Sequence, residues 1–86
     1  MTWELRFSPQ ALKDAEALKG AGLKAAAERV LKVLREDPFR PRFEKLRGDL
    51  VGCYSRRISR THRLVYELDE AARVVRVLRM GSHYGE

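Results

Sequence analysis

Gly52-Cys53-Tyr54-Ser55-Arg56-Arg57-Ile58-Ser59-Arg60-Thr61-His62-Arg63-Leu64-Val65-Tyr66 decides the fold. Two strand-like runs flank a short polar turn, Ser59-Arg60-Thr61, and both carry arginines where an ordinary sheet carries Thr or Glu. With that turn, Ile58 faces His62, Arg57 faces Arg63, Arg56 faces Leu64 and Tyr54 faces Tyr66. Alternation sorts the hairpin into two faces. Tyr54, Arg56, Ile58, His62, Leu64, Tyr66 and Leu68 share the more apolar one, which is expected to meet helices. Cys53, Ser55, Arg57, Arg63, Val65 and Glu67 share the polar one. Arg57 and Arg63 then stand directly opposite each other. Like charges across a strand pair are unfavourable, so the pair needs a carboxylate, such as Glu44 or Glu67, or a bound anion. Arg56 is the misfit on the apolar face. Its expected place is a sheet edge, with its stem buried and its head in water.

Outward from the hairpin, the remaining elements follow from local signals. Thr2-Trp3-Glu4-Leu5-Arg6-Phe7 alternates as a half-buried strand. Ser8-Pro9 starts a helix, with Ser8 as N-cap and Pro9 at the first helical position. Ala11, Leu12, Ala15 and Leu18 share one face of it, and Gly20-Ala21-Gly22 breaks it. A second helix is expected from about residue 23 to 35, with an apolar stripe of Leu23, Ala26, Ala27, Val30, Leu31 and Leu34. Asp37-Pro38 ends it. Residues 38–51 read as a long loop, and long ordered loops are often functional. Strands are expected at about 51–58, 62–68 and 73–79. The order β-α-α-β-β-β predicts one α+β domain over residues 1–86. In it a two-helix hairpin packs on one face of a mostly antiparallel four-stranded sheet.

Composition narrows the partners. Eighteen Lys and Arg against twelve Asp and Glu give +6 on 86 residues, a field that favours an anionic partner. Arginine, dominant in the second half, suits phosphate oxygens through its planar fork. A core this small makes stabilisation by a partner subunit plausible, so a homodimer is one expected assembly. Cys53 is the only cysteine, so neither an intramolecular disulfide nor a Cys-based zinc site is expected. No apolar signal segment or membrane-length run is read, and the expectation is a cytoplasmic protein without membrane, metal or cofactor.

RNA can be cut without metal, because its 2′-hydroxyl can attack the adjacent phosphate. Such a site needs a base for the hydroxyl proton, a cation for the charge developing on phosphate, and an acid for the departing 5′-oxygen. Glu44 supplies a carboxylate, Arg47, Arg57 and Arg63 supply cations, and His83 titrates near neutrality. Tyr84 is of a type that stacks on bases. Taken singly, each residue is more often an ordinary surface group.

The string Glu44-x-Leu46-x-x-x-Leu50-x-Gly52-x-Tyr54-Ser55-Arg56-Arg57-Ile58, then His62-Arg63-Leu64-Val65-Tyr66 and a closing His83-Tyr84, resembles the YoeB (Txe) branch of the RelE/ParE toxin superfamily. The resemblance spans essentially the whole chain. It implies the toxin of a bacterial type II toxin–antitoxin module, a small microbial-RNase-like α+β domain, often dimeric. Such a toxin cleaves mRNA in the ribosomal A site without metal, contacts 16S rRNA and is held by an acidic antitoxin. By motif position, Glu44 corresponds to the general base, His83 to the general acid and Arg63 to the arginine that stabilises the phosphate transition state. Arg57 supports Arg63, and Tyr84 positions the nucleotide. Arg47 stands where the family has a lysine that contacts phosphate or rRNA, and Lys45 and Arg56 complete the expected phosphate-binding set. Cys53 stands where an aromatic is common. The alternative is a ParE-like toxin that inhibits DNA gyrase by protein contact without cutting RNA. A further one is a non-catalytic nucleic-acid-binding module.

Overall fold

The computed structural model describes residues 2–82. Its elements are β1 (Glu4–Phe7), α1 (Pro9–Gly20), α2 (Lys24–Glu36), β2 (Glu44–Lys45), β3 (Cys53–Arg57), β4 (His62–Asp69) and β5 (Val74–Ser82), with one 3₁₀ turn at Gly48–Leu50. The strands form one mixed sheet in the order β1-β5-β4-β3-β2. The sheet thus has five strands where the sequence predicts four. The fifth is the two-residue β2 inside the segment read as loop. β1 runs parallel to β5, and the other three pairings are antiparallel.

α1 begins as its sequence dictates. The Ser8 Oγ accepts from the Ala11 N–H at 3.0 Å, and Pro9 takes a position whose missing N–H costs nothing. The turn that stops it is made at Gly22, two residues past its end, whose φ of +76° only glycine adopts freely. There the Leu23 N–H donates to the Leu18 carbonyl and the Gly22 N–H to the Lys19 carbonyl. These two bonds satisfy the last carbonyls and turn the chain into α2. The apolar stripe of α2 packs as expected, with Ala27 and Leu34 buried. On α1, Leu12 departs from its expected face and is 57% exposed. The core lies between the helices and the sheet, built from Trp3, Leu18, Leu34, Leu64, Tyr66, Val75, Val77 and Met80 among others.

β5 carries a departure that no local pattern announces. Strict alternation after Val75 and Val77 would send Arg79 into the core. A bulge at Leu78 instead shifts the register between Val65 and Tyr66 on β4, so that Met80 faces Leu64 and Arg79 faces Val65. The helix start holds this bulge. Ser8 Oγ donates to the Leu78 carbonyl at 2.7 Å, and the Met80 N–H donates to Asp14 Oδ2 at 2.8 Å. The face away from the helices is not bare either. Cys53, Ser55, Val65 and Val74 are all buried on it, among Arg63, Glu67, Arg76 and Asp69.

Candidate active site

The hairpin pairs as its turn predicts. Arg57 is opposite Arg63, Arg56 opposite Leu64, Ser55 opposite Val65 and Tyr54 opposite Tyr66. The Ile58 N–H closes it on the His62 carbonyl at 2.8 Å. The two opposed arginines therefore share the polar face. β2 adds the carboxylate. Glu44 pairs with Ser55 and Lys45 with Tyr54, so the period of two puts Glu44 on the face of Ser55 and Arg63 and turns Lys45 the other way.

The result is a compact constellation. Arg63 Nη2 lies 2.7 Å from Glu44 Oε1, and Arg63 Nη1 donates to Ser55 Oγ at 3.1 Å. Ser55 is 1% exposed, so one end of the arginine fork is tied to a fixed point while the other meets a carboxylate. Of the two carboxylates that the sequence offers the arginines, Glu44 is the one used. Glu67 faces Arg76 instead, at 3.9 Å. Arg57 is exposed and makes no hydrogen bond or ion pair among the described residues. An open groove of about 630 Å³ starts at this cluster, with Glu44, Ser55, Arg57 and Arg63 in its lining.

The other expected residues fall elsewhere. Arg56 is not at a free edge with its head in water. It is 8% exposed on the helix-facing side, and its Nη2 donates to the Arg40 carbonyl. The reason is that residues 38–43 close over that face and offer a carbonyl to the guanidinium. Next to it, the buried Tyr66 hydroxyl donates to the Pro38 carbonyl at 3.2 Å and its ring stacks on Tyr54. Burial raises the Tyr66 phenol above its ordinary range, with the Arg56 charge pulling the other way. Lys45 and Arg47 are exposed on and just after β2, outside the groove lining. His62 is half-buried, with Nδ1 2.9 Å from Thr61 Oγ1 and 3.1 Å from Ser59 Oγ, so it braces the turn. His83 and Tyr84 lie outside the described residues. Ser55 was not singled out by sequence, although alternation already placed it on the face of Arg63. Among the described residues, no group of three or more His, Cys, Asp and Glu is placed to hold a metal ion, and no helix is long and apolar enough to cross a membrane.

A two-helix layer on a mixed sheet, with a carboxylate–arginine pair on the open face, defines the class of small toxins built on the RelE-like α+β fold. Residues 7–84 match the family described as YoeB-like toxin of bacterial type II toxin–antitoxin system, and the chain belongs to that family. Solved structures agree. A YoeB/ParE toxin from Agrobacterium tumefaciens is 26% identical with a TM-score of 0.84, over 94% of this chain and 99% of that one. A chain of a YoeB-YefM complex from Staphylococcus aureus is 31% identical with a TM-score of 0.77, over 95% and 98%. A chain of the RelBE2 toxin–antitoxin complex from Mycobacterium tuberculosis is 30% identical with a TM-score of 0.78, over 96% and 100%. YafQ from E. coli, at 15% identity and a TM-score of 0.82, shares the fold. No curated protein sequence matches the chain.

Proposed function

We propose that this toxin is a ribosome-dependent mRNA endonuclease that works without metal or cofactor. The observation that carries the reading is the Glu44 carboxylate 2.7 Å from the Arg63 guanidinium, on a face where Arg57 has no partner among the described residues. Glu44 takes the proton from the 2′-hydroxyl, whose oxygen attacks the adjacent phosphorus. Arg63 stabilises the charge that develops on the phosphate, with Arg57 beside it. The 5′-oxygen leaves with a proton from His83, so the products are a 2′,3′-cyclic phosphate and a 5′-hydroxyl. In sequence, His83 follows two residues after Gly81, which pairs with Arg63 across β4 and β5. Tyr84 orients the nucleotide. Arg47 and Lys45 meet rRNA phosphates at the rim, whereas Arg56, already engaged with the Arg40 carbonyl, is assigned no phosphate.

In this reading Arg63 exchanges one anion for another. The bidentate fork that grips Glu44 and Ser55 turns part of its bonding to the scissile phosphate, which leaves Glu44 next to the sugar. The +6 charge suits the 16S rRNA of the A site and an acidic antitoxin that silences the toxin in the cytoplasm. Relatives solved as complexes with antitoxins, and a YoeB dimer from Staphylococcus aureus, support the same partners here, including a homodimer. The test is a toeprint on translating ribosomes with wild type and His83→Ala side by side. Wild type should give mRNA cuts in the A site, and the folded variant should give none. DNA damage dependent on gyrase, without mRNA cuts, would overturn the nuclease reading.

A further inference from the structure

We propose that the groove leading from Arg63 to α2 is a second RNA subsite, which takes the backbone phosphates next to the scissile one and a base against Phe43. The inference rests on the nuclease reading and extends it to residues outside the catalytic cluster. β2 pairs only with Tyr54 and Ser55. The groove therefore passes round the uncovered part of β3, past Arg42 and Phe43, to Arg29 on the exposed side of α2.

Its charge is lopsided. Among the described residues, five arginines line it against one carboxylate, Glu44. Two of the five are already partnered, Arg63 by Glu44 and Arg56 by the Arg40 carbonyl. Arg29, Arg42 and Arg57 make no hydrogen bond or ion pair among the described residues. Beneath them lies the buried Arg56, whose Nε has no partner among the described residues, so the floor offers no acidic group to offset the cations above it. Three guanidinium groups without partners among the described residues, in one concave channel, call for several anionic groups at a repeat, which a polynucleotide backbone supplies.

The aromatic member selects the polymer. Phe43 is half-buried, held edge-on against Tyr54 at 5.5 Å between ring centroids, and it still lines the channel. A fixed ring beside cations is a stacking platform for bases. Glu44 and Arg63 line the same channel, so a strand with its scissile phosphate at Arg63 continues into it.

The experiment uses the full chain and single-stranded RNA of two to six nucleotides, with a 2′-deoxy sugar at the intended cut so that binding is read without cleavage. Each phosphate contact on a single strand adds about 0.7 to the slope of log affinity against log salt, roughly fivefold per contact at 0.1 M salt. The Arg29→Ala/Arg42→Ala double variant should therefore bind the longest RNA about 25-fold more weakly at 0.1 M salt. Its slope should be lower by about 1.4. Its affinity for the dinucleotide should stay within about twofold of wild type. Arg29→Lys/Arg42→Lys should restore the slope, because charge is kept. Wild-type affinity of the alanine variant for the longest RNA would overturn the subsite. So would loss of binding to a glutamate-rich peptide with RNA binding intact, which assigns the groove to an acidic protein. Arg63→Ala separates the two readings. If it cleaves mRNA normally on ribosomes, the catalytic assignment fails; the RNA-length series judges the groove independently.

Discussion

Replacing Glu44 by Gln separates catalysis from folding in a single side chain. The carboxylate is 63% exposed and its partner Arg63 is 29% exposed. Solvent-exposed pairs of this kind contribute about 0.2–1 kcal/mol, and the Gln amide oxygen still accepts from the guanidinium. The expected loss of stability is therefore at most about 1 kcal/mol, or roughly 5 °C in Tm for a domain of this size. The chemical step should suffer far more. Loss of a positioned general base removes about 10²- to 10⁴-fold in rate, equivalent to about 3–5 kcal/mol of barrier. Binding should move the other way, because Arg63 no longer has a competing anion, so RNA affinity should be equal to or above that of wild type. Thermal melting of the purified variant, RNA binding and a ribosome toeprint read the three quantities separately. Cleavage within tenfold of wild type would refute Glu44 as the base. A fall in Tm above about 10 °C would show that its main role is structural.

Two further outcomes follow from the scaffold. Ser8→Ala removes both the N-cap of α1 and the donor to the Leu78 carbonyl at the β5 bulge; it should cost about 1–2 kcal/mol by denaturant unfolding. Tyr66→Phe leaves the Pro38 carbonyl without its donor and should cost about 1–2 kcal/mol near neutral pH. The same residue has a pH signature. Burial raises the Tyr66 phenol, and burial followed by the Glu67 charge raises the Cys53 thiol. A folded-state value above the unfolded one means that the neutral form is favoured by folding. That stability is present below about pH 8.5 for the thiol and 10 for the phenol, and is lost as pH rises beyond them. Melts from pH 7 to 11 should show this loss in wild type, less of it in Tyr66→Phe, and no change in the difference between the two would refute it.

Much of the scaffold was legible because its signals are local. Period-two alternation named the strands, the Ser8-Pro9 and Gly22 signals bounded α1, and the three-residue turn set the register of Arg57 against Arg63. The site was half legible. Arg63, Arg57 and Ser55 lie within one hairpin, so their common face follows from counting. Glu44 sits in a segment with no periodicity; residue type offered it beside Glu67 as a carboxylate for the arginines, and only the family motif singled it out as the base.

By itself the sequence determined both helices and every strand except β2, and that two arginines must share a polar face and need an anion. Tertiary structure alone decided what supplies that anion. Two residues of β2 align with β3 and bring Glu44 to 2.7 Å from Arg63. Tertiary structure also placed β1 parallel to β5, moved Arg79 out of the core through the Leu78 bulge, and closed residues 38–43 over Arg56. The reason is the range of the forces. Propensity, capping and alternation act over a few residues. The pairing of distant strands and the burial of a lone guanidinium depend on which surfaces remain uncovered once those elements pack.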